Sequence, residues 1–313
     1  PSQRVRVLDQ GQCGSCVAYA TAAALSSVMA RSGAQFGIDP TQAILDPLPF
    51  YLVGLRPCDK VPDPLLMMQS GPKAGRTTWV DAGWSIDVAQ EQLNQLGGQV
   101  AMVLGGGTSS TPTVPLPGMR VRIGQHGLFS DAAVRGLPGN PTRIDAMRSY
   151  LLNHGAIAAT MTTYPTFRHY QGGVYDHSES VQKLVARLDA PPGAAAAAVQ
   201  VAETMKQSLR NTLATPTGGH AVTVIGYHVG GPVKMRQLMG LFLDPGSAAM
   251  NPADALEATV DLPAFWIVQN SWGTDWGIGG LVLIRTGQIG GVDQERNAGW
   301  MLDPQLEVNG QTQ

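Results

Sequence analysis

Residues 16–31 (CVAYATAAALSSVMAR) are apolar or small around nearly the whole helical circumference, rich in Ala, and stop near Gly33. That pattern predicts a helix buried on all sides. Ser85–Leu96 (SIDVAQEQLNQL) instead collects its apolar residues on one helical face and ends at Gly97 and Gly98, which predicts an amphipathic helix. Ile144–Asn153 gives a third helix. The period then shortens. Ala156–Thr162, His220–Tyr227, Phe265–Gln269 and Gly280–Ile284 are short runs of β-branched, aromatic and small residues bordered by Gly, and predict strands. Between the first two lies 178–216. There Val181–Asp189 and Val199–Leu213 have helical spacing and are separated by Pro191, Pro192 and Gly193, so a helical hairpin inserted into a strand-rich half is expected. Residues 105–118 (GGGTSSTPTVPLPG) show no period and predict a loop. The boundary between a mainly helical lobe, 8–115, and a mainly β lobe, 116–300, is placed there. No internal repeat is present.

Composition narrows the function classes. A chain of 313 residues is long enough for one large domain or two lobes sharing a cleft. Charged residues make up only 14%, against about 25% in an average soluble protein, so a surface poor in salt bridges is expected. Net charge is 21 − 23 = −2, without the basic excess that nucleic acid or a membrane surface would demand. No apolar run reaches the ~18–20 residues of a transmembrane helix. The chain starts at Pro1, so a processed or trimmed form is expected, with any signal peptide or inhibitory pro-segment outside it. Cys13, Cys16 and Cys58 are compatible with one disulfide plus one thiol, or with three thiols. The first arrangement suits a secreted or periplasmic protein, the working expectation, and the second a reducing compartment. Cys13 and Cys16 form a C-x-x-C, yet no second Cys/His pair follows at zinc-site spacing, so neither a metal nor another cofactor is expected.

The segment Asp9–Tyr19, DQGQCGSCVAY, carries the sharpest chemical signal. A nucleophilic Cys must ionise near neutral pH. At the first turn of a helix it meets unpaired N–H groups and the positive end of the helix dipole, and both favour the thiolate. Cys16 stands where a Gly-containing turn feeds the Ala-rich helix. Gln10, six residues upstream, can fold its amide back beside Cys16 and, with the Cys16 N–H, supply two donors for an oxyanion. GGHAVTVIGY places His220 at the start of an apolar strand, preceded by two glycines that let another chain approach. A His there can take the thiol proton and return it to a leaving amine. In FWIVQNSWGTDWGIGG, Asn270 ends a strand and can accept a proton from the second ring nitrogen of His220, with Trp272 covering that bond. Taken singly, each of these residues reads as structural, and so do His126, His154, His169, His177 and His228.

Together the three segments resemble the papain family of cysteine peptidases. The carriers are Q-G-x-C-G-S-C at Gln10–Cys16, G-H-A-V-x-x-x-G-Y at Gly219–Tyr227 and N-S-W-G-x-x-W-G-x-x-G at Asn270–Gly280. Weaker likenesses at Gly83–Gly97, His154–Met161 and Phe167–Tyr175 extend it over about residues 8–290. The resemblance implies an α+β, papain-like two-lobe fold: a helical left lobe and a β-barrel-like right lobe, with the active site in the cleft. It implies Cys16, His220, Asn270 and Gln10 as catalytic residues. Gly83 would pair with an extended substrate, and Trp84, Thr160, Gly218 and Trp272 would line its site. Cys13 stands at a family disulfide position, with Cys58 as the candidate partner. The sequence departs from the pattern in several places. Val17 replaces the usual aromatic residue after the nucleophile, the glycine pair is reduced to Ala82–Gly83, and both 178–216 and 229–262 look inserted.

The function implied is hydrolysis of peptide bonds in a peptide or protein substrate through a Cys16 thioester. Two alternatives use the same residues: acyl transfer to an amine, as in a ligase or transglutaminase, and a catalytically weak binding module on the papain fold.

Overall fold

A computed structural model of the chain describes residues 6–11, 14–32, 43–47, 85–103, 113–234, 259–288, 290–294 and 297–312. The first helix, α1 (Cys16–Ser32), is the predicted Ala-rich one. Val17, Ala18, Ala20, Ala22, Ala24, Leu25 and Val28 are all buried along it, as small side chains on every face require. Strand β1 (Ala43–Leu45) precedes the amphipathic α2 (Ile86–Leu96), which buries Ile86, Ala89, Gln90 and Leu93. Then come β2 (Gly98–Val103) and β3 (Thr113–Leu128). Short α3 (Asp131–Arg135) leads to α4 (Arg143–Asn153), where the Thr142 hydroxyl accepts from Asp145 N and caps the first turn.

The second half follows with β4 (Ile157–Thr163), α5 (Pro165–Arg168), β5 (Val174–Tyr175), α6 (His177–Ala186) and α7 (Ala196–Ala214). After them run β6 (Gly218–His228), β7 (Gly231–Lys234), β8 (Thr259–Leu262) and β9 (Phe265–Gln269). The chain closes with β10 (Leu281–Arg285), β11 (Ala298–Val308) and β12 (Gln311–Thr312). Among the described residues no helix is long and apolar enough to cross a membrane.

The α+β class is borne out. Nine strands form one path in the order β1-β2-β3-β11-β4-β6-β9-β10-β5, with β12 added to β11. Among the described residues this path is open, ending at β1 and β5, rather than closed into a barrel. Among the described residues only the β10–β5 pairing is parallel. One hydrophobic core gathers α1, α2 and the inner faces of β2, β3 and β11. A second gathers α4, β4, β6, β9 and β10 around Trp266, Phe167 and Met147. Strand β6 contributes alternately to both: Ala221 to the first, Val222 and Val224 to the second.

The loop expected at 105–118 needs correction. Residues 113–118 belong to β3, which runs unbroken through the proposed lobe boundary at 115/116 and pairs with both β2 and β11. Pro115 and Pro117 hid it, because prolines argue against a strand interior. The ladder accommodates them with a register shift between Gln99 and Ala101 on β2. In the predicted hairpin region the chain forms α6 and α7. Lys206 of α7 bridges back to Asp189 in the connection and to Glu203 one turn earlier. Of the 229–262 insertion the described parts are β7 and β8, which pair antiparallel as a two-stranded sheet.

Candidate active site

Cys16 is the first residue of α1, so its side chain stands at the positive end of a 17-residue helix. It is partly buried against the first core. Two contacts orient α1 along the sheet. Thr223 Oγ1 of β6 donates to the Ala20 carbonyl at 3.2 Å. Seven residues further along α1, Ser27 Oγ accepts from Ala156 N at 3.1 Å, next to Ile157, which pairs with Val224. Gly155 permits that approach, since a Cβ there would stand 3.0 Å from Val28 N. The helix therefore runs in the direction of β6. Four residues back from Ala20 is ~6 Å along a helix, and three residues back from Thr223 is ~10 Å along a strand. Both steps lead toward the same end of the two elements, the end of α1 that carries Cys16 and the end of β6 that carries His220.

His220 is 6% exposed, on the rung that pairs it with Met161 of β4. Its Nε2 lies 2.7 Å from Asn270 Oδ1. The same Oδ1 accepts from Ser271 N at 2.8 Å. A backbone N–H can only donate, so the atom facing it is an oxygen, and the His220 nitrogen facing that oxygen must carry a proton. The ring is thereby held as the Nε2–H tautomer, which leaves Nδ1 as its basic nitrogen. Burial pushes the His220 pKa down to about 4, against a smaller upward pull from the Asn270 bond. The Trp272 ring lies 4.8 Å from the His220 ring at 31°, and Phe167, fully buried, packs edge-on against Trp272 at 5.6 Å. Trp276 completes this wall, its Nε1 donating to the Arg168 carbonyl.

Gln10 reaches the site from the other end of the chain. Gln10 N donates to the Ser271 carbonyl at 2.8 Å, Gly273 N donates to the Leu8 carbonyl, and Asp9 bridges to Trp272. Ser271 Oγ donates to Gln10 Oε1, which turns the donor end of that amide away from Ser271. Ser271 therefore touches both Gln10 and Asn270. Sequence reasoning passed over it and over Phe167; the Ser stands inside the N-S-W-G motif, so the motif itself was the available signal.

Residues 185–299 match a family model described as papain family cysteine protease. The resemblance to the papain family is borne out. The papain-like stretch holds His220, Asn270, Ser271 and Trp272, while Gln10 and Cys16 lie before it. Among solved structures the chain is similar to "proCathepsin B S9 from Trypanosoma congolense" at 17% identity and a TM-score of 0.47, covering 96% of this chain and 72% of that one. No curated protein matches the chain.

The remaining papain-derived expectations fall in different places. Thr160 pairs with Ala221, one rung from His220, with its N–H and hydroxyl both directed to the Asn297 carbonyl. Gly218 pairs with Thr163 and is exposed. Among the described residues a Cβ at Gly218 or Gly219 would meet no atom within 4 Å, which leaves that side of β6 clear of them. Gly83, Trp84, Cys13 and Cys58 lie outside the described residues.

Proposed function

We propose that this chain is a peptidase in which Cys16 is the nucleophile, His220 the general base and acid, Asn270 the residue that orients His220, and Gln10 an oxyanion donor. The observation that carries the reading is Asn270 Oδ1, shared by His220 Nε2 and Ser271 N, because it leaves His220 Nδ1 as the proton acceptor. Nδ1 takes the proton from Cys16 Sγ, and the thiolate attacks the peptide carbonyl carbon. Gln10 Nε2 and the Cys16 N–H hold the oxyanion that forms. As the intermediate collapses, the C–N bond breaks and the Nδ1 proton goes to the leaving amine. Water, losing a proton to Nδ1, then attacks the thioester, and Cys16 leaves as the thiol with that proton. The substrate lies extended, pairing its backbone with Gly83 by strand addition, and the side chain of the second residue before the cut lies toward Trp84, Thr160 and Gly218.

The test is hydrolysis of a fluorogenic peptide panel by the wild type and by Cys16→Ala side by side. Loss of hydrolysis in a folded Cys16→Ala variant is expected; activity within tenfold of the wild type overturns the assignment. Product analysis with and without an added amine separates hydrolysis from acyl transfer.

A further inference from the structure

Helices α6 and α7 meet along a narrow seam. Of the 19 residues of α7 only Lys206 and Leu213 are buried, and of α6 only Val185. Beside the seam lies a groove of about 570 Å³. Its lining falls into rows at helical spacing. Ser178, Gln182 and Ala186 stand one turn apart on α6, and Lys206, Arg210 and Ala214 one turn apart on α7. Val181 and Val185 are less exposed than either row and form the floor. Eight residues of helix rise ~12 Å, the length of roughly four residues of extended chain.

The charges in the lining are unequally satisfied. Lys206 is held by Asp189, the carboxylate at the far end of the groove, and by Glu203 outside it. Arg210, midway along its row, makes no ion pair or hydrogen bond with any described residue. A guanidinium takes a carboxylate through two parallel N–H···O bonds. A compact small molecule needs about 70–90% of its surface covered. This groove is open along its length, since Ser178, Gln182, Arg210 and Ala214 are all exposed. Its complement is therefore an extended polypeptide that lays an aliphatic side chain on Val181 and Val185 and a carboxylate on Arg210.

The groove also starts close to the candidate active site. His177 lines its foot, and His177 Nδ1 lies 3.1 Å from Thr166 Oγ1. The ring of Phe167, the next residue, is 6.4 Å from the His220 ring. Arg210 stands one turn, ~6 Å, along α7 from Ala214.

We propose that the α6–α7 groove is an accessory binding site for an extended acidic stretch of polypeptide, with Arg210 holding its carboxylate, and that this stretch belongs to the substrate, roughly five to eight residues from the bond that is cut. The substrate clause rests on the peptidase reading above; the binding of an acidic segment does not.

The experiment has a binding arm and a kinetic arm. Fluorescein-labelled octapeptides that differ at one central position, Glu, Gln or Lys between aliphatic residues, are titrated by fluorescence anisotropy into the Cys16→Ala chain, with and without Arg210→Glu. The Glu peptide should bind roughly fivefold more tightly than the Gln peptide, and Arg210→Glu should transfer that preference to the Lys peptide. Equal affinities for all three, no binding at all because another segment of the chain fills the groove, or a Glu preference that survives Arg210→Glu overturns the proposal. So does equal displacement by free hexanoate, which would make the occupant a small carboxylate. In the kinetic arm a cleaved peptide is extended by eight residues on either side and Glu is moved along the extension. The expected result is a KM roughly fivefold lower with Glu five to eight residues from the cut on one side, lost in Arg210→Glu and restored there by Lys. A KM indifferent to Glu at every position overturns the substrate clause. If the wild type hydrolyses no peptide, the peptidase reading and the substrate clause fail together, while the binding arm still decides the groove.

Discussion

At the scale of single residues the central fact is how His220 is held. Burial disfavours its charged form and pushes its pKa down to about 4, from a usual 6.5. In the proposed mechanism a thiolate at Cys16 opposes that push, since an opposite charge nearby favours the imidazolium. Removing the thiol removes the opposition. In Cys16→Ala the His220 ring should therefore titrate well below 6.5, near 4, when followed through its C–H resonances; a midpoint at or above 6.5 would contradict the burial argument. The linked stability has a definite sign. The folded pKa is depressed, so between pH 6.5 and 4 the unfolded chain binds the proton more readily. In that variant the contribution of neutral His220 is complete above about pH 6.5 and is lost as pH falls toward 4. A second prediction separates the roles of the pair. His220→Ala removes proton transfer, worth ~10²–10⁴ in rate, whereas Asn270→Ala removes only orientation and tautomer control. Peptide kinetics should show the larger loss for His220→Ala; the reverse order in folded variants would invert the roles.

At the scale of elements the inserted hairpin α6–α7 has the clearest consequence. Its two feet land on neighbouring residues at the end of β4. The His177 ring stacks on Tyr164 at 3.7 Å, and Thr217 N donates to the Thr163 carbonyl at 2.8 Å. Asp176 additionally pairs with Arg285 of β10. Thr163 is the rung partner of Gly218, two residues before His220, so the hairpin rises beside the approach to the site. Replacing 180–214 with a short Gly/Ser linker leaves both feet in place, and loop length itself costs little. If the hairpin covers the cleft, the deletion speeds cleavage of folded protein substrates and leaves a small peptide unaffected. Equal rates on both substrates before and after would make it a decoration. The helical spacing around Pro191–Gly193 made these helices legible in the sequence. The long strands were less so. Strand β11 (AGWMLDPQLEV) carries Pro304 and an Asp303 with φ 53, both of which argue against a strand interior. It holds its place through pairing with β3 along one edge and, at its start, with β4 along the other, contacts far away in sequence.

At the scale of the whole molecule the site is assembled from three distant parts of the chain. The 8–11 segment docks on 271–273, α1 lies along β6, and β9 delivers Asn270 beside β6. The motifs singled out the residues proposed to carry the chemistry, because a thiol at a helix start, a His opening a strand and an N-S-W-G turn each have a local signature. The links between them were not legible. The bond from Ser271 Oγ to Gln10 and the single sheet running through the expected lobe boundary both depend on residues more than a hundred positions apart. The claim that unites these parts is that His220 activates Cys16, and the rate of alkylation at Cys16 tests it most directly. Iodoacetamide adducts at Cys16 should be followed by mass spectrometry from pH 4 to 10, in the wild type and in His220→Ala. The account predicts rapid alkylation of the wild type well below the ~8.5 pKa of an ordinary thiol, and a shift of the profile toward 8.5 in His220→Ala. A wild-type profile governed by a single pKa near 8.5, unchanged by His220→Ala, would contradict it.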